Sequence, residues 1–145
     1  MTKATVVKCA DELEQIRIAA GGILRPVDVV EFAIDPNTAL HGQFTWDDTE
    51  AARKYRIWQA RMIIQVTVTV LRKDSAPVRA YVSLDEDRQI EGGGYRLVVD
   101  VLRDPTRRKA MLAEARRDMD RFQEKYAAIK ELSAVFAAMK KVRVA

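Results

Sequence analysis

The stretch QVTVTVLRKDSAPVRAYV, residues 65–82, decides the fold class of this chain. Valine alternates with polar residues over positions 65–71, and a second alternating run covers positions 78–82, which is the period-two pattern of β-strands. The polar segment between the runs predicts a turn. We therefore expect an antiparallel hairpin with Val66, Val68 and Val70 on one face. Because a lone hairpin is only marginally stable, that face should lie on helices.

Three helices are predicted ahead of the hairpin. Residues 10–20 repeat apolar side chains at helical spacing until a pair of glycines stops the pattern. A second, short helix follows with Pro26 in its first turn, where proline is tolerated. The third is expected over residues 46–64, where neither glycine nor proline interrupts the chain, with Thr45 or Asp47 as its cap.

The third helix is predicted to have a core side and a surface side. At 100° per residue its apolar side chains fall together, and most of its basic side chains fall opposite them. The expected core set is Ala51, Tyr55, Trp58 and Met62, and the expected surface set is Arg53, Lys54 and Arg61. The group of Trp46, Tyr55 and Trp58 could stack a nucleic-acid base, but packing in the core is the favoured interpretation.

The remainder of the chain is predicted as a loop, a short element and one long helix. Residues 85–94 are acidic and glycine-rich and indicate a flexible loop, and residues 95–102 fit a short helix better than a third strand. Asp104 caps a helix that starts with Pro105 and runs unbroken to about Met139. Its apolar residues alternate three and four apart, which is a heptad seam. The seam is Leu112, Ala115, Met119, Phe122, Tyr126, Ile129, Ser133 and Phe136.

Together these elements predict an α+β, mainly helical protein. A three-helix module with a β-hairpin, in the order of a winged helix, covers residues 1–84. The acidic loop and short element cover residues 85–104, and the long helix covers residues 105–145. We expect one compact domain with a helical arm, since a chain of 145 residues is large enough to bury a core of its own.

Composition excludes several classes of protein. One cysteine, Cys9, cannot form an internal disulfide, and one histidine, His41, cannot supply a histidine-rich metal cluster. Neither residue has a convincing catalytic partner in sequence, so an enzyme is not expected and no cofactor is predicted. No stretch is apolar enough for a membrane span, and residues 1–8 lack the apolar core of a signal peptide, which predicts a cytoplasmic protein.

Charge is distributed unevenly within the formal net charge of +4. Residues 106–145 carry 11 basic and 5 acidic side chains, a net +6, and the preceding residues therefore carry −2. Such asymmetry can indicate a polyanionic partner, but a solvated helix looks the same, because opposite charges at i,i+3 or i,i+4 pair on its surface.

The predicted element order favours nucleic-acid binding as the function. In a winged helix the recognition helix enters the major groove and the hairpin touches the backbone, so basic residues on both could meet phosphates. The candidate phosphate contacts are Arg53, Lys54, Arg56, Arg61, Arg72, Lys73 and Arg79. Two observations oppose this interpretation: acidic residues at positions 47, 48 and 50 would repel phosphate, and the connection over residues 38–45 is long for a helix-turn-helix motif.

Two alternatives remain open from sequence. The heptad seam predicts an oligomeric assembly or adaptor protein, because an apolar stripe on a long helix needs a partner, which could be a second copy or another protein. That interface would consist of Leu112, Met119, Phe122, Tyr126, Ile129 and Phe136. The weaker alternative is an enzyme with a metal ion at Asp85, Asp87 and Glu91, although these acids lack the spacing of a calcium loop.

Much of the chain resembles small phage- and prophage-encoded proteins of unassigned function. The similarity is carried by residues 24–33, 35–41, 44–56 and 59–64 and extends through residues 92–96 and 100–105 into the C-terminal helix. It implies an origin in a mobile element and action in the cytoplasm of a bacterial host. The resemblance comes without a catalytic motif or an established ligand, so it assigns no role to any residue.

Overall fold

The computed structural model describes residues 1–46 and 49–142. The chain forms two compact units, one from Met1 to Asp100 and the other from Val101 onward. The prediction of an α+β, mainly helical protein is confirmed. The first unit contains every strand that the described residues form, and the second is helical.

Three helices begin the first unit. They are α1 (Lys3–Ala19), α2 (Pro26–Phe32) and α3 (Glu50–Val66), with a 3-10 turn at His41–Gln43 between the last two. Pro26 occupies the first position of α2, as predicted. The first helix starts earlier than predicted, because the hydroxyl of Thr2 accepts a hydrogen bond from the backbone of Thr5 and caps it.

The start of α3 differs from the prediction. The helix begins at Glu50, and its cap is Thr49, whose hydroxyl accepts a 3.2 Å hydrogen bond from the backbone nitrogen of Ala52. Thr45 and Trp46 precede the helix without regular secondary structure, and the other cap candidate, Asp47, lies outside the described residues. The acidic pair at positions 47 and 48 that opposed phosphate binding also lies outside them.

Four short strands form two antiparallel pairs. In the first pair, β1 (Val68–Thr69) lies beside β2 (Val78–Arg79), and in the second, β3 (Tyr81–Val82) lies beside β4 (Arg96–Leu97). The predicted second strand is therefore divided at Ala80, and its two halves have different partners. A further bridge joins Leu24 to Tyr95 through two backbone hydrogen bonds of 2.9 Å, which closes the unit over a long sequence separation.

The predicted packing of the hairpin valines is wrong. Val66, Val68 and Val70 are 73%, 57% and 54% exposed, so this face does not lie on the helices. The physical reason is that Ala80 and Tyr81 are buried and tie the second half of the hairpin to the core, while the β1–β2 end extends away from it.

The core of the first unit draws on all three helices and on the strands. Leu13 from α1, Val29 from α2 and Ile64 from α3 are completely buried. They share one apolar cluster with Leu24 and with Tyr81 of β3. The carboxylate of Glu12 accepts hydrogen bonds from the backbone nitrogens of Ala39 (2.7 Å) and Leu40 (2.9 Å), which fastens the α2–α3 connection to α1.

The segment predicted as a flexible acidic loop is ordered around a buried ion pair. It contains the short helix α4 (Asp85–Arg88), and Asp87 is completely buried. Arg96 donates from Nε to both carboxylate oxygens of Asp87, at 2.8 and 3.1 Å, and the backbone nitrogen of Leu84 donates to the same carboxylate. The ambiguous residues 95–102 are partly strand, as β4, and partly helix, as α5 (Val98–Arg103).

From Pro105 onward, the described residues of the second unit form two α-helices rather than one. Helix α6 covers Pro105–Tyr126, and after a 3-10 turn at Lys130–Leu132 helix α7 covers Ser133–Lys140. The prediction of a single helix to Met139 is therefore wrong. Although no glycine or proline interrupts the chain, folding α7 back buries Phe136 against Phe122, with ring centroids 6.1 Å apart. Arg116 also donates to the backbone oxygen of Met139.

Candidate nucleic-acid interface

Helix α3 has two apolar stripes, and the shorter side chains form the buried one. Ala60 and Ile64 are completely buried, and Ile57 packs partly buried against the same cluster. The predicted core side is wrong: Ala51, Tyr55 and Trp58 are exposed and only Met62 is half-buried. Because a helix at 100° per residue cannot turn both stripes inward, the larger aromatic side chains are left toward solvent.

The two aromatic residues left outside form a stacked pair. Tyr55 and Trp58 are 49% and 50% exposed, and their ring centroids are 5.6 Å apart at an interplanar angle of 19°. They are neighbours because residues three apart lie on the same side of a helix. The pair thus presents two rigid, nearly parallel rings to solvent, an arrangement that can accept another planar ring by stacking.

Two of the predicted phosphate contacts flank this pair. Lys54 lies four residues before Trp58 and Arg61 three residues after it, so the three lie within about 60° of one another on the helix surface. The prediction that these two cations fall opposite Trp58 is therefore wrong, and only Arg53 lies on another side. Both cations are exposed. Lys54 is paired weakly with the exposed Glu50, at 3.9 Å, and Arg61 donates a long hydrogen bond of 3.5 Å to the backbone oxygen of Gly92.

Three more predicted contacts lie on the hairpin. Arg72 and Lys73 are in the exposed turn, and Arg79 is in β2 opposite Val68. The turn is held by Ser75, whose backbone nitrogen and hydroxyl both donate to the backbone oxygen of Arg72. Asp74 has the positive φ of 64° that the turn requires, a conformation that aspartate tolerates better than most residues. The three cations are therefore accessible on an ordered hairpin.

The other two predicted contacts lie on a different side of α3. Arg53 and Arg56 line a cavity of about 340 Å³ between α2 and α3. The guanidinium of Arg56 lies 5.1 Å from the ring centroid of Trp46 and donates to the backbone oxygen of Thr45 at 3.2 Å. Arg56 is half-buried by these contacts and serves packing. The described residues that line the cavity are Val27, Val30, Glu31, Ile34, Trp46, Arg53, Arg56 and Ile57.

Trp46 is separate from the aromatic pair with which it was grouped in sequence. Its ring stacks on that of His41, with centroids 4.8 Å apart, and its indole nitrogen donates a 3.0 Å hydrogen bond to the backbone oxygen of His41. His41 in turn bonds through Nδ1 to the backbone oxygen of Ala33, at 2.8 Å. These contacts organise the α2–α3 connection.

The remaining candidates for chemistry are the thiol of Cys9 and the predicted metal site in residues 85–91. Cys9 is buried, and burial, followed by the charge of Glu12, raises the pKa of its thiol, which disfavours the nucleophilic thiolate. Asp87 of the proposed metal set is held by Arg96. Within residues 1–46 and 49–142, no group of three or more histidine, cysteine or acidic residues is placed to hold a metal ion.

The residues of the predicted oligomer interface differ in their exposure to solvent. Leu112, Phe122 and Ile129 are exposed, Met119 and Tyr126 are half-buried, and Phe136 is buried within its own unit. All residues of α6 belong to the described part of the chain, and none of them is buried. Phe136 is thus an internal contact, and the exposed apolar stripe is shorter than predicted.

Comparison with models of known protein families, with curated protein sequences and with solved structures gives no match. In the part of the chain that the structure describes, no helix is both long enough and apolar enough to cross a membrane.

Proposed function

We propose that this chain is a non-enzymatic accessory or regulatory protein of phage type that binds nucleic acid. The contact surface is the α3–hairpin surface, which we define as Lys54, Tyr55, Trp58, Arg61, Arg72, Lys73 and Arg79. The observation that carries the proposal is the exposed, stacked Tyr55–Trp58 pair with a cation on either side along α3. Aromatic rings flanked by lysine and arginine combine the two chemistries that nucleic acids offer, flat bases and phosphates.

The order of elements supports a winged-helix-like module. Three helices precede an antiparallel hairpin, and Leu24, between the first two helices, pairs with Tyr95. The connection from Ala33 to Thr49 is longer than the turn of a helix-turn-helix motif. We therefore propose contact with the phosphate backbone rather than base readout by the start of α3.

The experiment is fluorescence anisotropy of a labelled mixed-sequence oligonucleotide, offered both as a single strand and as a duplex. We expect binding at low salt that weakens as salt rises, because phosphate contacts release counterions. Lys54→Gln and Lys73→Gln should each weaken binding and reduce the salt slope by about one, without altering sequence preference.

The matched control is Lys8→Gln, since Lys8 is also an exposed helical lysine but lies on α1. It should leave the affinity unchanged. Absence of binding at low salt, or binding that does not respond to salt, would rule out the proposal.

A second function, self-association, is favoured by one observation in the second unit. Helix α6 is described in full and none of its residues is buried, although Leu112, Met119, Phe122 and Tyr126 repeat at heptad spacing. A helix without buried residues gains little from its own chain, so its apolar stripe is suited to a second copy of α6.

Light scattering of the intact chain tests self-association. The informative substitution is Leu112→Gln, because Leu112 is exposed and lies outside the Phe122–Phe136 contact. We expect the wild type to be an oligomer and this variant to be a monomer. Val135→Gln, an equally exposed position outside the seam, should keep the wild-type mass. A wild-type monomer at high concentration would dismiss this function.

A further inference from the structure

A duplex offers few accessible base faces on which the aromatic pair of the α3–hairpin surface could stack. In a double helix the faces of the bases are already stacked on each other, and only their edges and the phosphates are accessible. Tyr55 and Trp58 are half exposed as a stacked pair, and aromatic rings of this kind bind a nucleic acid by stacking on the face of an unpaired base. We infer that the preferred ligand is a single-stranded nucleic acid whose unpaired bases stack on Tyr55 and Trp58. This inference rests on the proposed function and narrows its ligand.

The position of the cations agrees with a single strand running along α3. Lys54 and Arg61 lie about one helical turn to either side of Trp58, so phosphates on both sides of a stacked base can each meet a positive charge. Among the residues that the structure describes, neither cation has a short ion pair, since the Lys54–Glu50 distance is 3.9 Å and the Arg61–Gly92 hydrogen bond is 3.5 Å. Both side chains can therefore turn toward a phosphate at small cost.

Charge also separates this ligand from a protein partner. Charge composition distinguishes the two kinds of partner, because the centre of a protein interface is enriched in aromatic residues and arginine but depleted in lysine. Here a lysine, Lys54, adjoins the rings on α3 together with Arg61. The surface is thus complementary to a flexible polyanion that also carries flat rings.

The test compares three ligands of one sequence by anisotropy: a DNA strand of about 20 nucleotides, the corresponding RNA strand and the DNA duplex. We expect at least one single strand to bind about tenfold or more tighter than the duplex. DNA and RNA share the stacking chemistry, so tighter binding of either strand supports the inference and identifies which of the two is the ligand.

Substitution of Trp58 provides the second arm. Trp58→Leu should weaken single-strand binding by about fivefold or more, because it keeps an apolar side chain but removes the ring, whereas Trp58→Phe should retain most of the affinity. Ile18→Ala, at an exposed apolar residue of α1, is the matched control and should have no effect. Tyr55→Leu repeats the test if Trp58→Leu fails to fold.

Tryptophan emission provides a separate measurement, because a strand would not change it if Trp58 had only a structural role. A stacked base should quench Trp58, so the wild type should lose emission on adding the strand. Trp58→Phe should bind without this loss, because Trp46, the second tryptophan of the chain, is packed on His41 away from the pair.

Several outcomes would overturn the inference. Equal affinity for strand and duplex, with Trp58→Leu unaffected, would reject single-strand stacking but leave the proposed function standing. If a polyglutamate peptide bound with the same affinity as the single strand, charge alone would account for binding, and the inference would be rejected. Failure to bind any nucleic acid would reject the inference together with the proposed function.

Discussion

The hydroxyl of Tyr81 donates a 2.6 Å hydrogen bond to Oε1 of Glu14, across 67 positions of sequence. Tyr81 is almost completely buried in β3, and Glu14 lies on α1, where Arg17 also donates to its carboxylate at 3.0 Å. Arg17 in turn reaches the carboxylate of Asp100 at 3.5 Å. The hydrogen bond from the buried Tyr81 to the charged carboxylate of Glu14 thus connects β3 to α1.

Tyr81→Phe should lower the free energy of unfolding by about 1–2 kcal/mol. The substitution removes a hydrogen bond to a charged group, and the partial exposure of Glu14 keeps the loss at the lower end of the range for such bonds. Urea denaturation measures the change. Tyr55→Phe, at an exposed tyrosine, should shift stability by less than about 0.5 kcal/mol, and equal effects of the two variants would contradict the assignment.

The same pair predicts how stability depends on acid. Burial alone would raise the pKa of Glu14, but hydrogen bonds from Arg17 and Tyr81 and the charge of Arg17 outweigh it and hold the pKa below its ordinary value of 4.5. Since the folded pKa is the lower one, the contribution of Glu14 is present above pH 4.5 and is lost as pH falls through the folded pKa.

In alkali the sign is reversed. Burial, and then the hydrogen bond to Glu14 and its charge, raise the pKa of Tyr81 well above 10.0, so its contribution is present below pH 10.0 and is lost above it. Urea midpoints measured across both limits should fall in the wild type, and Tyr81→Phe should flatten the alkaline fall. A variant with an unchanged alkaline slope would show that other groups control it.

Gly94→Ala should destabilise the first unit by about 1–3 kcal/mol, as overpacking does. A Cβ at this position would lie 2.7 Å from Cγ2 of Ile23, which is a branched methyl group close to its own backbone. Gly42→Ala is the control, because a Cβ there meets nothing within 4 Å. Thermal unfolding of the two variants should separate them, and similar melting temperatures would argue against the close approach.

Asp87→Asn should cost about 3 kcal/mol of stability. The substitution removes the completely buried carboxylate that Arg96 contacts at 2.8 Å, and the guanidinium keeps only the exposed carboxylate of Glu86, at 3.5 Å. Breaking a buried ion pair is costly because its remaining charge is poorly compensated. Glu91→Gln, in the same segment but exposed, should change stability by less than about 0.5 kcal/mol. If Asp87→Asn leaves the stability unchanged, the ion pair does not order residues 85–94, and the prediction of a flexible acidic loop stands.

Periodicity predicted the existence of most elements of the first unit but not their burial. The glycine pair after α1, Pro26 and the alternating valines are local signals, and each placed a helix or a strand where one is found. Which stripe of α3 turns inward depends on long-range packing against α2 and β3. Two stripes of similar hydrophobicity cannot be ranked from one helix alone.

The prediction of one unbroken C-terminal helix is wrong for a related reason. Its heptad seam is present, but the chain folds back after Tyr126 because Phe136 gains more by packing on Phe122 than by extending into water. The absence of glycine and proline permits a long helix without requiring one. In the candidate site, Lys54, Arg61 and the hairpin cations were predicted from the sequence. Tyr55 and Trp58 were also named there as able to stack a base, but the core was favoured for them, and their exposure is found only in the structure.

The pairing of Leu24 with Tyr95 has a consequence during synthesis of the chain. Contacts between residues far apart in sequence form late, because a long loop must close before they can be made. The segment after α1 cannot complete its backbone hydrogen bonds until Tyr95 has left the ribosome, so the first unit matures only when most of the chain has been translated. Until then Leu24 keeps an unpaired backbone edge, and the nascent protein passes through an interval in which a chaperone could engage it.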